Sequence, residues 1–277
     1  MNLGYKMLVL DMDDTLLTDD HIISEKNKEM LLKAQDEGVM VVLASGRPTP
    51  AMLSFARELE LDRYGSYIIS YNGGTLIDMA DESVVYSQSL SVKNIHDLYD
   101  FASHNGVDII TYSSDSIYSE SHSKYIQVEI DITKMHFDQV ADFKKAVDFD
   151  GVKCIMLEEP SKLQEVKPLL EKAFPELSIS FSKPFFLEVT QTGIDKAATL
   201  ARLSEITGIK QEQIIAVGNA GNDLSMVEYA GLGVWVDNVT PELRHKADVI
   251  VASNNDDGVA EVVEKFLLKK EMQLEVM

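Results

Sequence analysis

The chain has 277 residues, 45% of them hydrophobic, and carries 25 basic against 46 acidic side chains for a formal net charge of −21. That length and apolar content support one large domain or two modest ones, and the charge opposes binding to nucleic-acid phosphates or an anionic membrane surface. Cys154 is the only cysteine, so no intrachain disulfide is expected, and neither a signal peptide nor a membrane-spanning stretch is recognisable, which points to a cytoplasmic protein.

The first apolar run, Met7–Leu10, reads as a buried parallel strand that ends on acid. Ser24 is placed to cap a helix with Met30, Leu31 and Ala34 on one side, and Gly38 ends it before a second strand at 39–44. Thr49 followed by Pro50 is a helix start, and a third strand follows at Tyr67–Ser70. From 84 to 186 the texture changes to short alternating strands such as DIITY, SIYSE and SISFS, with helical patterns at 92–103, 138–147 and 162–174. Pro168 is expected to kink or interrupt the last of these, and Cys154, in VKCIML, reads as a buried strand position. Further buried strands follow at 214–217, 233–236 and Val249–Val251, with Thr240 and Pro241 as another helix start and FLLKKEMQLEVM as a helix end that frays. Strands alternating with helices at both ends of the chain predict an α/β fold, a doubly wound parallel sheet into which an antiparallel α+β segment is inserted.

In such sheets ligands bind beyond the carboxyl ends of the strands, so the polar residues directly after each apolar run are the candidates. After the first strand come Asp11 and Asp13, two residues apart and able to face one small volume. Their mutual repulsion asks for a divalent cation, although DMDDT on its own reads equally well as a solvated acidic turn. Ser45, Gly46 and Arg47 follow the second strand and can offer a hydroxyl, an open N–H and a helix N-terminus to an anion, or simply form a turn. Asn72 and Gly73 follow the third. Lys196 stands at a helix start, where the dipole disfavours a cation; an anionic ligand would remove the conflict, as would pairing with Asp195 or Glu188. The loop GNAGND, from Gly218 to Asp223, combines exposed backbone donors with oxygen ligands, though Asn and Gly are also ordinary turn formers. Within the insertion Glu120, His122 and Tyr125 are polar residues that fit a binding face or a solvated loop equally well.

Taken together, DMDDTLL, SGRP at Ser45, GIDK ending in Lys196 and GNAGNDLSM resemble the four ordered motifs of the haloacid dehalogenase superfamily. The YNGG at Tyr71 and the large late insertion resemble its Cof-type sugar-phosphatase branch, subfamily IIB with a C2B cap, and the likeness covers essentially the whole chain. The resemblance implies a Rossmann-like core from residues 1–83 and 187–277 and an inserted α+β cap from 84–186. It implies a magnesium-dependent phosphatase acting on small phosphorylated metabolites, sugar phosphates above all. Asp11 would then attack phosphorus to form an aspartyl-phosphate, and Asp13 would protonate the leaving alkoxide and later activate water. Thr15 would fix the loop through its hydroxyl; Ser45, Gly46, Lys196 and Asn222 would hold phosphoryl oxygens, and Arg47, Asn72 and Gly73 would meet the substrate nearby. The Mg2+ contacts implied are the Asp11 carboxylate, the Asp13 carbonyl and Asn219, with Asp223 behind the metal-bound water.

The chain departs from the family pattern at Asn219, where aspartate is usual, which removes one negative charge and should weaken the metal site. Asp14 replaces a glycine often found there. Two other functions compete: a phosphomutase of the same fold, and a protein that only binds a phosphorylated ligand, with Asn219 marking decayed catalysis. Retention of Asp11, Asp13 and Lys196 speaks against decay.

Overall fold

The computed structural model describes residues 4–268. In chain order the strands are β1 (Met7–Leu10), β2 (Met40–Ala44), β3 (Tyr67–Ser70), β4 (Thr75–Asp78), β5 (Ser83–Ser87), β6 (Asp108–Tyr112), β7 (Ser116–Ser119), β8 (His136–Gln139), β9 (Lys153–Leu157), β10 (Leu177–Lys183), β11 (Phe186–Gln191), β12 (Ile214–Gly218), β13 (Leu232–Val236) and β14 (Val249–Val251). The helices are α1 (Glu25–Asp36), α2 (Pro50–Glu58), α3 (Val92–Asn105), α4 (Lys124–Thr133), α5 (Phe143–Ala146), α6 (Pro160–Ala173), α7 (Lys196–Thr207), α8 (Leu224–Tyr229) and α9 (Gly258–Val262). The described residues divide into two compact units, one of 4–45, 55–84 and 195–268, the other of 46–54 and 85–194.

The first unit is built on a sheet of order β14-β13-β12-β1-β2-β3-β4-β5. The stretch from β14 to β3 is parallel throughout, whereas β4 folds back antiparallel on β3, an edge not apparent in the sequence patterning. Every residue of β1 is fully buried, as continuous apolar runs in a two-sided sheet require. The strand order reverses at the β1/β12 junction, where Leu10 pairs with Val217 on one side and Leu43 on the other. The residues just after β1, β2 and β12 therefore emerge side by side, at the kind of switch point where α/β sheets bind ligands.

The second unit has a sheet of order β10-β11-β9-β6-β7-β8, antiparallel except for the β7/β8 pair. Ile109, Cys154, Met156 and Val189 lie on the face packed by Leu98 of α3 and Leu163 and Leu170 of α6. The expected helix at 138–147 is not formed: β8 ends at Gln139, and only α5 follows, capped by Asp142, whose Oδ1 accepts from Lys145 N–H at 3.1 Å. The sequence reading also missed α4, which Ser123 caps by accepting from Ile126 N–H at 3.4 Å. Helix α6 runs through Pro168 without interruption, because Pro168 lies on its exposed face and Leu163, Val166 and Leu170 bury the other; water can reach the carbonyl whose partner the proline removes. Thr240 and Pro241 begin only a short turn that ends in one 3₁₀ turn, Arg244–Lys246, not a full helix. The fraying proposed for the C-terminal tail concerns residues 269–277, which lie outside those described.

Candidate active site

Directly after β1 the chain turns sharply. Asp11 N–H donates to Val217 O at 3.0 Å, tying the end of β1 to β12, and Leu17 N–H donates back to Met12 O at 2.9 Å, closing a wide turn over Met12–Leu16. Within it Asp13 is extended (φ −67°, ψ 128°) and Asp14 is left-handed (φ 57°, ψ 16°), the conformation that favours the glycine often found there. Asp11 is buried, whereas the Asp13 side chain is 44% exposed, so the two acids differ sharply in environment. Thr15 Oγ1 donates to Asp11 Oδ2 at 3.0 Å, one turn further on, fixing the carboxylate from below.

Lys196 is the centre of the site. It is the first residue of α7, wholly buried, and its three N–H groups are all used: Asp11 Oδ1 at 2.6 Å, Asp223 Oδ1 at 2.6 Å and Ala44 O at 2.8 Å. Neither sequence-level partner is engaged. Asp195 instead caps α7 by accepting from Ala198 N–H, and Glu188 pairs with Lys153 at 3.0 Å. Burial alone would lower the Lys196 ammonium, but the charges of Asp11 and Asp223 and the hydrogen bonds to both outweigh it, so its pKa lies above the ordinary lysine value. Burial, and then the Asp223 charge, push the Asp11 carboxyl up to about 7, against the opposing pull of Lys196 and Thr15.

Two glycines allow this convergence. At Gly73 (φ 105°) a Cβ would stand 2.2 Å from Asp195 O, so only glycine lets the Tyr71–Gly73 turn press against the start of α7, where Thr199 Oγ1 also donates to Gly73 O at 2.6 Å. At Gly218 a Cβ would stand 2.4 Å from the Cβ of Asp223. Asp223 is thereby drawn under the end of β12, where its Oδ2 accepts from the N–H groups of Asn219 (3.1 Å) and Ala220 (3.0 Å).

The remaining candidates separate into two groups. Ser45 is buried at the end of β2; its N–H donates to Ile69 O and its carbonyl accepts from Asn72 N–H, both at 2.9 Å. Asn72 (φ 54°) in turn accepts from Asn222 Nδ2 at 3.3 Å, so Ser45, Asn72 and Asn222 form a chain between the ends of β2, β3 and β12. Gly46 and Arg47 continue directly from Ser45, partly exposed, in the stretch that belongs to the second unit. In that unit Glu120 accepts from Tyr99 Oη (2.6 Å) and Phe143 N–H (2.7 Å), His122 meets Gln127 at 3.0 Å, and Tyr125 stacks on Phe185. These three are occupied with local structure.

Two residues that contact the acidic turn were not picked out from the sequence. Asn238 Nδ2 donates to Asp14 O at 2.7 Å, and Asn254 Nδ2 donates to Leu17 O at 3.1 Å. The signal was present: both follow closely on apolar strands, β13 and β14, the same rule that selected Asp11, Ser45 and Gly218.

A buried lysine bridging two carboxylates thus stands at the switch point of a doubly wound sheet, where such sheets bind ligands. Residues 8–263 match the sequence profile of the haloacid dehalogenase-like hydrolases, and the chain belongs to that family. It is 31% identical over 271 residues to YxeH of Bacillus subtilis (strain 168), covering 96% of this chain and all of that one. It is 29% identical over 263 residues to the 5-amino-6-(5-phospho-D-ribitylamino)uracil phosphatase YcsE of the same organism, covering 95% and 96%. Among solved structures, a haloacid dehalogenase-like hydrolase from Bacteroides thetaiotaomicron superposes with a TM-score of 0.90 at 37% identity, covering 94% of this chain and 98% of that one.

Proposed function

We propose that the protein is a magnesium-dependent phosphoric monoester hydrolase of small phosphorylated metabolites, with sugar phosphates as the substrate class, working through an aspartyl-phosphate on Asp11. The observation that carries this reading is Lys196, whose buried ammonium lies 2.6 Å from both Asp11 and Asp223. It orients the nucleophilic carboxylate and presents fixed positive charge where phosphoryl oxygens would gather. Asp11 forms a bond to phosphorus as the bond to the leaving oxygen breaks, and the half-exposed Asp13 delivers its proton to that oxygen. Asp13 then takes a proton from the water that attacks the intermediate, releasing inorganic phosphate and restoring Asp11. The chain Ser45–Asn72–Asn222 supplies further donors, and Gly46 and Arg47, which follow Ser45 in the sequence, are assigned to the substrate. Gly73 acts by permitting the close packing of α7.

The oxygen donors at the ends of β1 and β12, namely the Asp11 carboxylate, the Asp13 carbonyl and the Asn219 side chain, suit a hard divalent cation. Bound there, magnesium supplies the positive charge that keeps Asp11 ionised and screens it from the phosphoryl dianion. Asp223 accepts from Lys196 through Oδ1 and from the Asn219 and Ala220 N–H groups through Oδ2, so it places Lys196 and the 219–220 backbone and stands behind the metal-bound water. The relative YcsE, named for a substrate bearing a phosphorylated ribityl chain, supports a phosphate ester on a sugar-derived chain, in line with the sugar-phosphate class. The inserted segment 84–186 is assigned the cap role, C2B in type, recognising the leaving group, with residues 1–83 and 187–277 as the core. Among the described residues no helix is long and apolar enough to cross a membrane, and we assign the protein to the cytoplasm.

The test is hydrolysis of p-nitrophenyl phosphate with and without magnesium by the wild type and Asp11→Asn, followed by a screen of sugar phosphates. Metal-dependent release of phosphate that disappears in Asp11→Asn is the expected result. Equal activity in both proteins, or none in either, would overturn it.

A further inference from the structure

The excursion between the nucleophile and helix α1 carries Asp13, and the Met12, Thr15, Leu16 and Leu17 side chains of its turn are buried. Residues 12–24 leave β1, make the turn over Met12–Leu16 and form a short hairpin in which Thr18 N–H donates to Ile22 O at 3.0 Å and Leu17 bridges Ile23. Those buried side chains anchor one side of the turn, and the Asp14 and Leu17 carbonyls on its other side are fixed separately.

Side-chain amides from the opposite end of the chain do this. Asn238, after β13, donates to Asp14 O at 2.7 Å and accepts from Asn254 N–H at 3.2 Å. Asn254, 2% exposed and just after β14, spends both N–H groups of its amide on the excursion, on Leu17 O and on Asp19 Oδ1, each at 3.1 Å. Asn255 Oδ1 accepts from Asp19 N–H at 3.1 Å, and Asp257 Oδ1 accepts from Ser24 Oγ at 2.5 Å, where α1 begins. The segment 254–257 therefore grips the excursion at Leu17, Asp19 and Ser24, and Asn238 grips the peptide after Asp13. The hydrogen bonds to Asp19 from Asn254 and then Asn255 hold its carboxyl below the ordinary aspartate value, consistent with the contact being made to an ionised group.

We infer that Asn238 and Asn254 are positioning residues for Asp13: an amide clamp that sets where the general acid stands against the leaving oxygen. This rests on the phosphatase reading above. In the first chemical step an Asp11 oxygen bonds to phosphorus, the bond from phosphorus to the leaving oxygen breaks, and the Asp13 proton moves onto that oxygen to give the neutral alcohol. A displaced Asp13 slows this step in proportion to how much the leaving group needs the proton. An alkyl phosphate needs it; a nitrophenyl phosphate, whose phenolate departs unaided, barely does.

The experiment compares kcat/KM for p-nitrophenyl phosphate with that for the alkyl phosphate turned over fastest, in wild type, Asn238→Ala and Asn254→Ala. General acid catalysis contributes about 10²- to 10⁴-fold, so partial misplacement should lower the alkyl value about tenfold while the aryl value changes less than about threefold. A loss of folded protein would lower both alike. Asn238 is exposed, so water can replace its bond to Asp14 without unfolding the chain; if Asn254→Ala does not fold, the Asn238→Ala ratio decides. Equal losses on both substrates, or no loss on either, overturn the clamp. Absence of hydrolysis by the wild type would overturn the phosphatase reading instead, and the clamp with it.

Discussion

Replacing Lys196 with methionine tests the buried network most directly. The change keeps most of the side chain's length and removes a charge whose partners stand at 2.6 Å (Asp11), 2.6 Å (Asp223) and 2.8 Å (Ala44 O). At an effective dielectric constant of about 20 each ion pair is worth about 6 kcal/mol in gross Coulomb energy. Desolvation cancels much of that, and breaking a buried pair leaves a net loss of about 3–5 kcal/mol, a large share of an ordinary domain's stability. The loss depends on pH. Without Lys196 the Asp11 pKa rises further above its unfolded value of 3.8, so between about pH 4 and that raised pKa the folded state holds a proton that the unfolded chain has released. Stability of the variant therefore increases as pH falls through this window, and its deficit against wild type is greatest near pH 8. Trp235, the only tryptophan, is fully buried in β13 and reports unfolding of the first unit. The urea midpoint followed through Trp235 should fall by about 1–3 M at pH 8 and by much less at pH 5. A shift below about 0.3 M at pH 8, or the same shift at both pH values, would refute the argument that Lys196 neutralises a buried acidic pair.

In the metal-free wild type, Asp11 is raised from 3.8 to about 7. The folded protein should thus lose stability as pH rises from about 4 to about 7, by at most about 4 kcal/mol, and Asp11→Asn should flatten this slope in urea titrations. Gly73→Ala forces a Cβ to 2.2 Å from Asp195 O at a left-handed φ; a cost of about 2–4 kcal/mol is expected, with turnover lowered because α7 begins at Lys196, and a variant matching wild type in both measurements would refute the packing role. Asn219→Asp restores a carboxylate at the end of β12 and should tighten magnesium binding about tenfold, equivalent to about 1.4 kcal/mol, by calorimetric titration without substrate; unchanged affinity would remove Asn219 from the metal site.

The central strands were legible because nothing competes with their pattern. Met7–Leu10 is an unbroken apolar run buried on both faces, Tyr67–Ser70 is buried except for the half-buried Tyr67, and the structure places both at the residues read from the sequence. The second sheet was harder. Phe143 and Val147 are both buried and four residues apart, which mimics a helical stripe, whereas the half-exposed β8 just before them shows little periodicity of its own. At the site the residue types were legible and their partners were not. Lys196 drew notice because a cation at a helix start is electrostatically misplaced, but the cause, two acids 185 and 27 positions away, exists only after the sheet has assembled. Asn238 and Asn254 follow β13 and β14 as Asp11 follows β1, but their partners Asp14 and Leu17 stand 224 and 237 positions away and are met only in the folded sheet.

The pairing of β1 with β12 sets a condition on the order of events during synthesis. Met7 finds its partner Ile214, and Asp11 finds Val217, only once more than two hundred residues have been made. At roughly 5–20 residues per second β1 waits about 10–40 s for β12. Through that interval the apolar run MLVL and its acids have no finished site to enter, while most of the second unit, a nearly continuous stretch from 85 to 194, can already complete its sheet. Pulse proteolysis of stalled nascent chains ending before and after residue 218 would show protection of 85–194 first. The network around Asp11 is thereby tied to the last third of the chain, so a truncated product that retained every residue up to Lys196 would leave Asp11 without its β12 neighbour and Lys196 without Asp223.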